Sequence, residues 1–268
     1  MADFDYWHRQ SGAPLFPDVD TMRPEQRRFA GKILLIGGNK GMFFTVANAM
    51  GVADKIGIGE CRVVMPDSLK NMVPVTPEVY FAESETSGAF GRKSLQELTR
   101  QVEWADAVVL AGDLGKNGET SVAMAELLNK IEKPVYLMRD AIDAVMADAM
   151  NWSMREEKTV LLASLPQIQK LLRAVYYPKV ITLSMPTNQL VETLHKFTLS
   201  YGMTITTFHN DQIIVAENGE IVSMDIKTTN YTPITLFDGK LLVKIAALGV
   251  WNSEKESIKI ASTAALMI

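Results

Sequence analysis

Two glycine-rich turns hold the residues best placed to do chemistry. The first lies in Lys32–Gly41, KILLIGGNKG, where the apolar run Ile33–Ile36 breaks into Gly37, Gly38, Asn39 and Gly41. Glycine tolerates positive φ and lets backbone amides approach a ligand, so such a turn ahead of a helix can cradle a phosphate. It can equally be a tight strand-to-helix turn that holds nothing, and the residues alone leave both readings open. The second turn follows Ala107–Leu110 and reads Ala111-Gly112-Asp113-Leu114-Gly115-Lys116-Asn117-Gly118. A Rossmann dinucleotide site would need G-x-G-x-x-G, and Ile36 stands where its first glycine belongs.

Other chemistries are poorly supplied. Cys61 is the only cysteine, which excludes an internal disulfide and a cysteine-clustered metal site. His8, His195 and His209 are scattered, so no metal site is expected, and His209 in Phe208-His209-Asn210-Asp211 reads as a turn residue. A formal net charge of −4 gives no basic footprint, which argues against a nucleic-acid partner. Hydrophobic content of 47% with 22% charged residues is ordinary for a soluble globular protein. The first residues, MADFDYWHRQ, do not read as a signal peptide, and no apolar run is long enough to span a bilayer. A cytoplasmic location is the default expectation.

The elements that must position the turns follow from hydrophobic periodicity. Residues 1–30, with Pro14, Pro17, Pro24 and a basic cluster at Arg23, Arg27 and Arg28, read as an arm packing on the domain, with a short helix near Pro24–Phe29. A helix over Met42–Lys55 is apolar almost all round and is expected to be covered on more than one side. Strands are expected at Arg62–Met65, Glu78–Ala82, Ala107–Leu110, Pro134–Met138, Thr159–Ala163 and Lys179–Leu183. Helices are expected near Asp67–Met72 and at Lys93–Glu103, Glu119–Ile131 and Ala141–Met150, then around Ile168–Val175 and Leu190–Tyr201. This alternation calls for a mostly parallel sheet covered on both faces. Met203–Phe208, Gln212–Ala216 and Glu220–Asp225 then form an antiparallel ribbon, with a hairpin turn at Asn218-Gly219. Helices at Lys240–Val250 and Lys255–Leu266 close the chain, so residues 31–268 read as one domain. Asp238, just before the first of these helices, suits an N-cap.

In order and spacing these segments resemble the ribokinase-like superfamily, and within it the ADP- or ATP-dependent NAD(P)H-hydrate dehydratase family. The resemblance runs from about Pro24 to Leu266. Gly31–Met42, GKILLIGGNKGM, is similar to that family's opening strand and glycine turn. Trp104–Gly115, WADAVVLAGDLG, is similar to its apolar strand ending in G-P-G-L-G, and Pro134–Ile142, PVYLMRDAI, to its D-A-D-A-L strand end, with Asp140 on the second aspartate. The fold implied is a three-layer αβα ribokinase-like one, its mostly parallel sheet carrying a C-terminal antiparallel ribbon.

The resemblance also implies chemistry. A nucleotide, ATP or ADP with magnesium, phosphorylates the hydroxyl of hydrated NAD(P)H, and loss of phosphate restores the cofactor. Gly37, Gly38, Asn39, Gly41, Gly112, Gly115, Asn117, Gly239 and Lys240 are then candidates for nucleotide or substrate binding. The chain departs from the family at the reacting centre. The family's G-S-G-D element is replaced by Leu236-Phe237-Asp238-Gly239, with glycine at the position of the catalytic aspartate. Its P-H-x-G-E element is replaced by Ala163–Ile168, ASLPQI, while Asp113 adds a carboxylate to the second turn and Met138 replaces the first aspartate of D-A-D-A-L. Two expectations follow. One is an active hydro-lyase or small-molecule kinase with Asp238 or Asp140 as base and Lys240 or Lys244 holding phosphate. The other is a non-catalytic binding, regulatory or scaffold protein that keeps the fold. The partner implied is a nucleotide or NAD(P)H-like small molecule, with no nucleic acid and no membrane, and a homo-oligomer is the expected assembly.

Overall fold

A computed structural model describes residues 5–11, 13–17, 23–252 and 258–267. The chain begins with β1 (Trp7–Arg9), β2 (Lys32–Gly37), α1 (Phe44–Ile56), β3 (Glu60–Pro66) and β4 (Val79–Ala82). It continues through α2 (Leu95–Trp104), β5 (Ala107–Gly112), α3 (Gly118–Leu128), β6 (Val135–Met138), α4 (Asp140–Val145) and α5 (Ala149–Trp152). Next come β7 (Thr159–Leu162), α6 (Leu165–Ala174), α7 (Thr187–Ser200), β8 (Met203–His209), β9 (Gln212–Glu217) and β10 (Glu220–Asp225). The last two helices are α8 (Lys240–Trp251) and α9 (Ile258–Ala265).

The strands form a ten-stranded sheet in the order β1-β10-β9-β8-β7-β6-β5-β2-β3-β4. From β8 to β4 every neighbour is parallel, and β8, β9 and β10 form the expected antiparallel ribbon. Ile33, Leu34, Leu35 and Ile36 are all fully buried because both faces of β2 are covered. Alternation sends Leu34 and Ile36 into one core, shared with α2 to α7, and Ile33 and Leu35 into the other, shared with α1, α8 and α9. Burying each such side chain stabilises the fold by roughly 1.5–3 kcal/mol.

Four features differ from expectation. Lys179–Leu183 is not a strand: Val180 and Leu183 are exposed, only Ile181 is buried, and its amide donates to the Gln169 side chain. The place beside β7 belongs to β8 instead. The arm, read as irregular, supplies β1, which pairs parallel to β10 outside the ribbon, Trp7 opposite Ile221. The helix expected over Ala141–Met150 breaks into α4, a tight turn at Met146–Asp148 and α5. There Trp152 Nε1 donates to Val145 O at 2.8 Å, occupying a carbonyl that continued helix would use. Finally, α1 buries Thr45, Val46, Ala49 and Ala53 toward the sheet and α8, while Phe44 on its other side is 61% exposed among the described residues. The start of the last helix, at Lys255, falls outside the described residues.

Candidate functional site

The C-terminal ends of β2, β5, β6 and β7 open onto a cleft of about 560 Å³, the usual position for a ligand in an open parallel sheet. At its centre the two glycine turns pack on each other. A β-carbon on Gly37 would stand 2.7 Å from the carbonyl oxygen of Gly112, so that glycine serves close backbone approach. The turn's amides are already engaged. Gly38 N donates to Gly112 O at 3.1 Å, Asn39 N to Met42 O at 2.8 Å and Lys40 N to Gly88 O at 2.9 Å. Gly41 N donates to Asn39 Oδ1 at 2.7 Å.

The second turn carries Asp113 at φ 58°, an unusual conformation for a residue with a side chain. Three bonds hold it. Its Oδ2 accepts from Thr45 N in the first turn of α1 at 2.7 Å, its carbonyl accepts from Asn39 Nδ2 at 2.6 Å, and Arg139 Nη2 lies 3.2 Å from its Oδ1. Arg139 is also strained, with φ 53° and ψ −138°, at a cost of about 1–3 kcal/mol. Gln167 holds that backbone by donating from Nε2 to Arg139 O at 2.6 Å, and the same amide reaches Asp143 Oδ2 at 2.8 Å. Lys170 pairs with Asp143 Oδ1 at 2.5 Å.

Asp140 accepts from Gly115 N through Oδ2 at 2.9 Å. Burial is the main force raising its pKa, and the Asp113 charge adds to it; the Gly115 amide and the Arg139 guanidinium oppose. Arg139 Nε, Asp140 Oδ1 and Thr45 Oγ1 are buried without a hydrogen-bond partner, and Asp113 Oδ1 has only its ion pair with Arg139.

The start of α8 closes the site from the side. Gly239 has φ +102°, and a β-carbon there would stand 2.4 Å from the carbonyl oxygen of Thr45. Asp238 is buried; its Oδ1 accepts from Lys240 N at 3.0 Å and its Oδ2 pairs with Lys240 Nζ at 2.9 Å. Gly239, not Asp238 as expected, is therefore the N-cap of α8; Asp238 stands one residue earlier and accepts from the first helical amide. Asn48 Nδ2 donates to Asp238 O at 3.1 Å, tying α1 to the same segment. Asp238 and Lys240 face a second hollow of about 540 Å³, shared with Lys55, Tyr231 and Lys244, while Phe237 lines the cleft. Burial lowers the pKa of Lys244, against the pull of Asp238, and its ammonium sits 5.4 Å from the centre of the Tyr231 ring.

The residues singled out in the sequence are therefore only partly gathered. Asn39, Gly115 and Asp140 line the cleft, with Gly37, Gly38, Gly41 and Gly112 shaping its turns. Asp238 and Lys240 line the other hollow, so the two candidate bases do not converge. Asn117 does not line the cleft: it caps α3, accepting from Glu119 N at 3.0 Å, and donates to Ser87 Oγ at 2.9 Å. Sequence reading missed Lys116, Arg139, Ser164 and Gln167 as cleft residues, and the signal for them was their place just beyond the strand ends. Among the described residues, no group of three or more His, Cys, Asp or Glu could hold a metal ion. No helix among them is long and apolar enough to cross a membrane.

No protein-family model matches the chain. Its shape does match solved structures. A ribokinase-like superfamily protein from Enterococcus faecalis superposes with a TM-score of 0.63 at 14% identity, covering 100% of this chain and 96% of that one. The fold is ribokinase-like. A second ribokinase-like match is ADP/ATP-dependent NAD(P)H-hydrate dehydratase from Bacillus subtilis, co-crystallised with ATP and Mg2+. Its TM-score is 0.63 at 15% identity, over 96% of this chain and 87% of that one. In sequence the ribokinase-like chain is similar to bifunctional NAD(P)H-hydrate repair enzymes. The Vibrio cholerae protein is 28% identical over 113 residues, 42% of this chain and 21% of its own length. The Methanothermobacter thermautotrophicus protein is 31% identical over 118 residues, 42% of this chain and 22% of its own length. The matched segment thus spans about a fifth of these relatives. The family resemblance seen in the motifs is borne out, and the fold it implied is the fold observed.

Proposed function

We propose that this ribokinase-like chain is a divergent relative of the NAD(P)H-hydrate dehydratases that binds a small molecule of the nucleotide or NAD(P)H type in its cleft without performing nucleotide-dependent dehydration. The observation that carries this reading is at position 239. The resemblance sets the catalytic aspartate there, yet the residue is glycine and a β-carbon would lie 2.4 Å from Thr45 O. A general base must reach the hydroxyl it deprotonates. Asp238, one residue earlier, faces the other hollow, with both oxygens engaged by Lys240.

The implied nucleotide fits poorly at α8. A terminal phosphate would need the free amides at the start of that helix, and the Asp238 carboxylate already stands on the first of them with like charge. The Lys240 amide is therefore not free to receive a nucleotide's terminal phosphate. One observation favours a second reading. Asp140 lies in the cleft with a raised pKa, the property expected of a catalytic acid or base, so an active lyase or kinase would use it.

Calorimetric titration with NADPH, and with ATP and ADP with and without magnesium, separates the readings when run beside an assay for NADH regained from its hydrate. Binding without turnover is the expected result. Turnover abolished by Asp140→Asn would establish the second reading instead. The proposal includes a cytoplasmic homo-oligomer, which light scattering on the purified protein tests for assembly.

A further inference from the structure

We propose that Asp113, in the cleft, and Asp238, in the second hollow, are internal substitutes for ligand phosphates at the starts of α1 and α8, so that a ligand's phosphates add nothing to its binding and its unphosphorylated part carries the affinity. The inference rests on the cleft being a ligand site, and it narrows what that ligand is.

The N-termini of α1 and α8 meet, Thr45 O against Gly239. Two helices starting side by side direct two positive dipole ends and several unpaired amides at one region, an arrangement that attracts anions. Here both ends already hold a carboxylate. Asp113 Oδ2 accepts from Thr45 N at 2.7 Å, and Asp238 Oδ1 accepts from Lys240 N at 3.0 Å. Each brings a cation with it: Arg139 Nη2 lies 3.2 Å from Asp113, and Lys240 Nζ lies 2.9 Å from Asp238. The amides of the first glycine turn bond within the protein, and Gly115 N is held by Asp140. These amides are thus engaged within the chain, those of Thr45, Lys240 and Gly115 by its own acids.

Asp113 is not a chance surface acid. The residue lines the cleft, its side chain is wholly buried, it occupies a conformation that disfavours side chains, and its Oδ1 has only the ion pair with Arg139. Burying a charge is costly unless it is paired and hydrogen-bonded, and Asp113 meets that condition only through Arg139 and the first-turn amide of α1. Around the opening, Asn39 bonds to Asp113 O and Gly41 N, Gln167 bonds to Arg139 O, Asp143 and Ser164, and the exposed Lys116 stands at the rim. Asn39 Oδ1 keeps a second lone pair, which suits a donor such as a nucleoside hydroxyl.

The test uses pyrophosphate as probe, titrated by calorimetry into the full chain and into Asp113→Asn, Asp238→Asn and the double variant. Asparagine keeps an acceptor oxygen for each helix amide and removes the charge. The expected result is pyrophosphate affinity at least tenfold higher in the double variant than in the unaltered protein. A smaller rise overturns the inference, as does no rise or binding undetectable in both. Should Asp113→Asn fail to fold by circular dichroism, Asp238→Asn alone decides at the same threshold. Adenosine and nicotinamide riboside, titrated in parallel, test the underlying reading separately. If neither binds while the pyrophosphate response appears, the nucleotide-type ligand falls and the phosphate substitution stands.

Discussion

Gly239 lies against the carbonyl oxygen of Thr45 with no room between them for a β-carbon. The contact joins the first turns of α1 and α8, and it makes position 239 intolerant of any side chain. Gly239→Ala combines an unfavourable φ of +102° with a backbone overlap at 2.4 Å, and the expected loss is about 2–4 kcal/mol in chemical denaturation. Gly239→Asp, which returns the acid the family resemblance asks for, should lose at least as much stability and gain no hydrate-repair activity. A stable, active Gly239→Asp protein would show that α1 yields, and the proposed loss of dehydration would fall with it.

Asp140 sets a pH dependence whose sign is defined. Burial raises its pKa in the folded protein above the unfolded value of about 3.9. Between those two values the native state binds more protons than the unfolded state, so stability falls as pH rises through the window. Above the native value the full penalty of holding the ionised form persists. Asp140→Asn removes the penalty. The difference in melting temperature, variant minus unaltered protein, should therefore grow from about pH 4 to pH 7. A difference independent of pH would show that Asp140 titrates normally.

Cys61 should be chemically quiet. It is partly buried in β3, and burial, assisted by the charges of Asp54 and Glu78, pushes its thiol up to about 12. At pH 8 only about one thiol in ten thousand is then ionised, and the thiolate is the reactive form. Reaction with Ellman's reagent should be far slower than that of free cysteine in the native protein and complete in denaturant. Native labelling at the free-cysteine rate would contradict this.

The strand–helix alternation was readable because buried parallel strands carry uninterrupted apolar runs, as Ile33–Ile36 and Ala107–Leu110 do. Lys179–Leu183 imitates such a run, but a short apolar segment does not reveal whether a strand partner is available, and β8 had taken that position. Trp7–Arg9 was missed for the opposite reason: an edge strand with two exposed residues has no apolar pattern to display. The glycine turns were legible as turns. Their use was not, because the pairing of Asp113 with Arg139 joins the ends of two strands, and the engaged amides depend on how the turns dock.

The arm is expected to protect an edge. β1 covers the outer side of β10, Trp7 Nε1 donates to Ser223 Oγ at 2.9 Å, and Tyr6 stacks on His195 with ring centres 3.6 Å apart. Deleting residues 1–10 leaves the backbone donors and acceptors of β10 open to another chain. The truncated protein should melt roughly 5 °C lower, for a loss of about 2 kcal/mol, and aggregate by light scattering. An unchanged melting temperature and scattering profile would show the strand to be dispensable.

The pairing of β1 with β10 also bears on how the molecule is made. Trp7 bonds to a residue 216 positions later, so during synthesis it must wait outside the ribosome for nearly the whole sheet to emerge. The strands from β2 to β8 can assemble step by step as they appear, each beside neighbours already present or soon to come. The edge seals only when the final hairpin arrives, which makes the nascent chain most open to wrong partners just before β10 emerges.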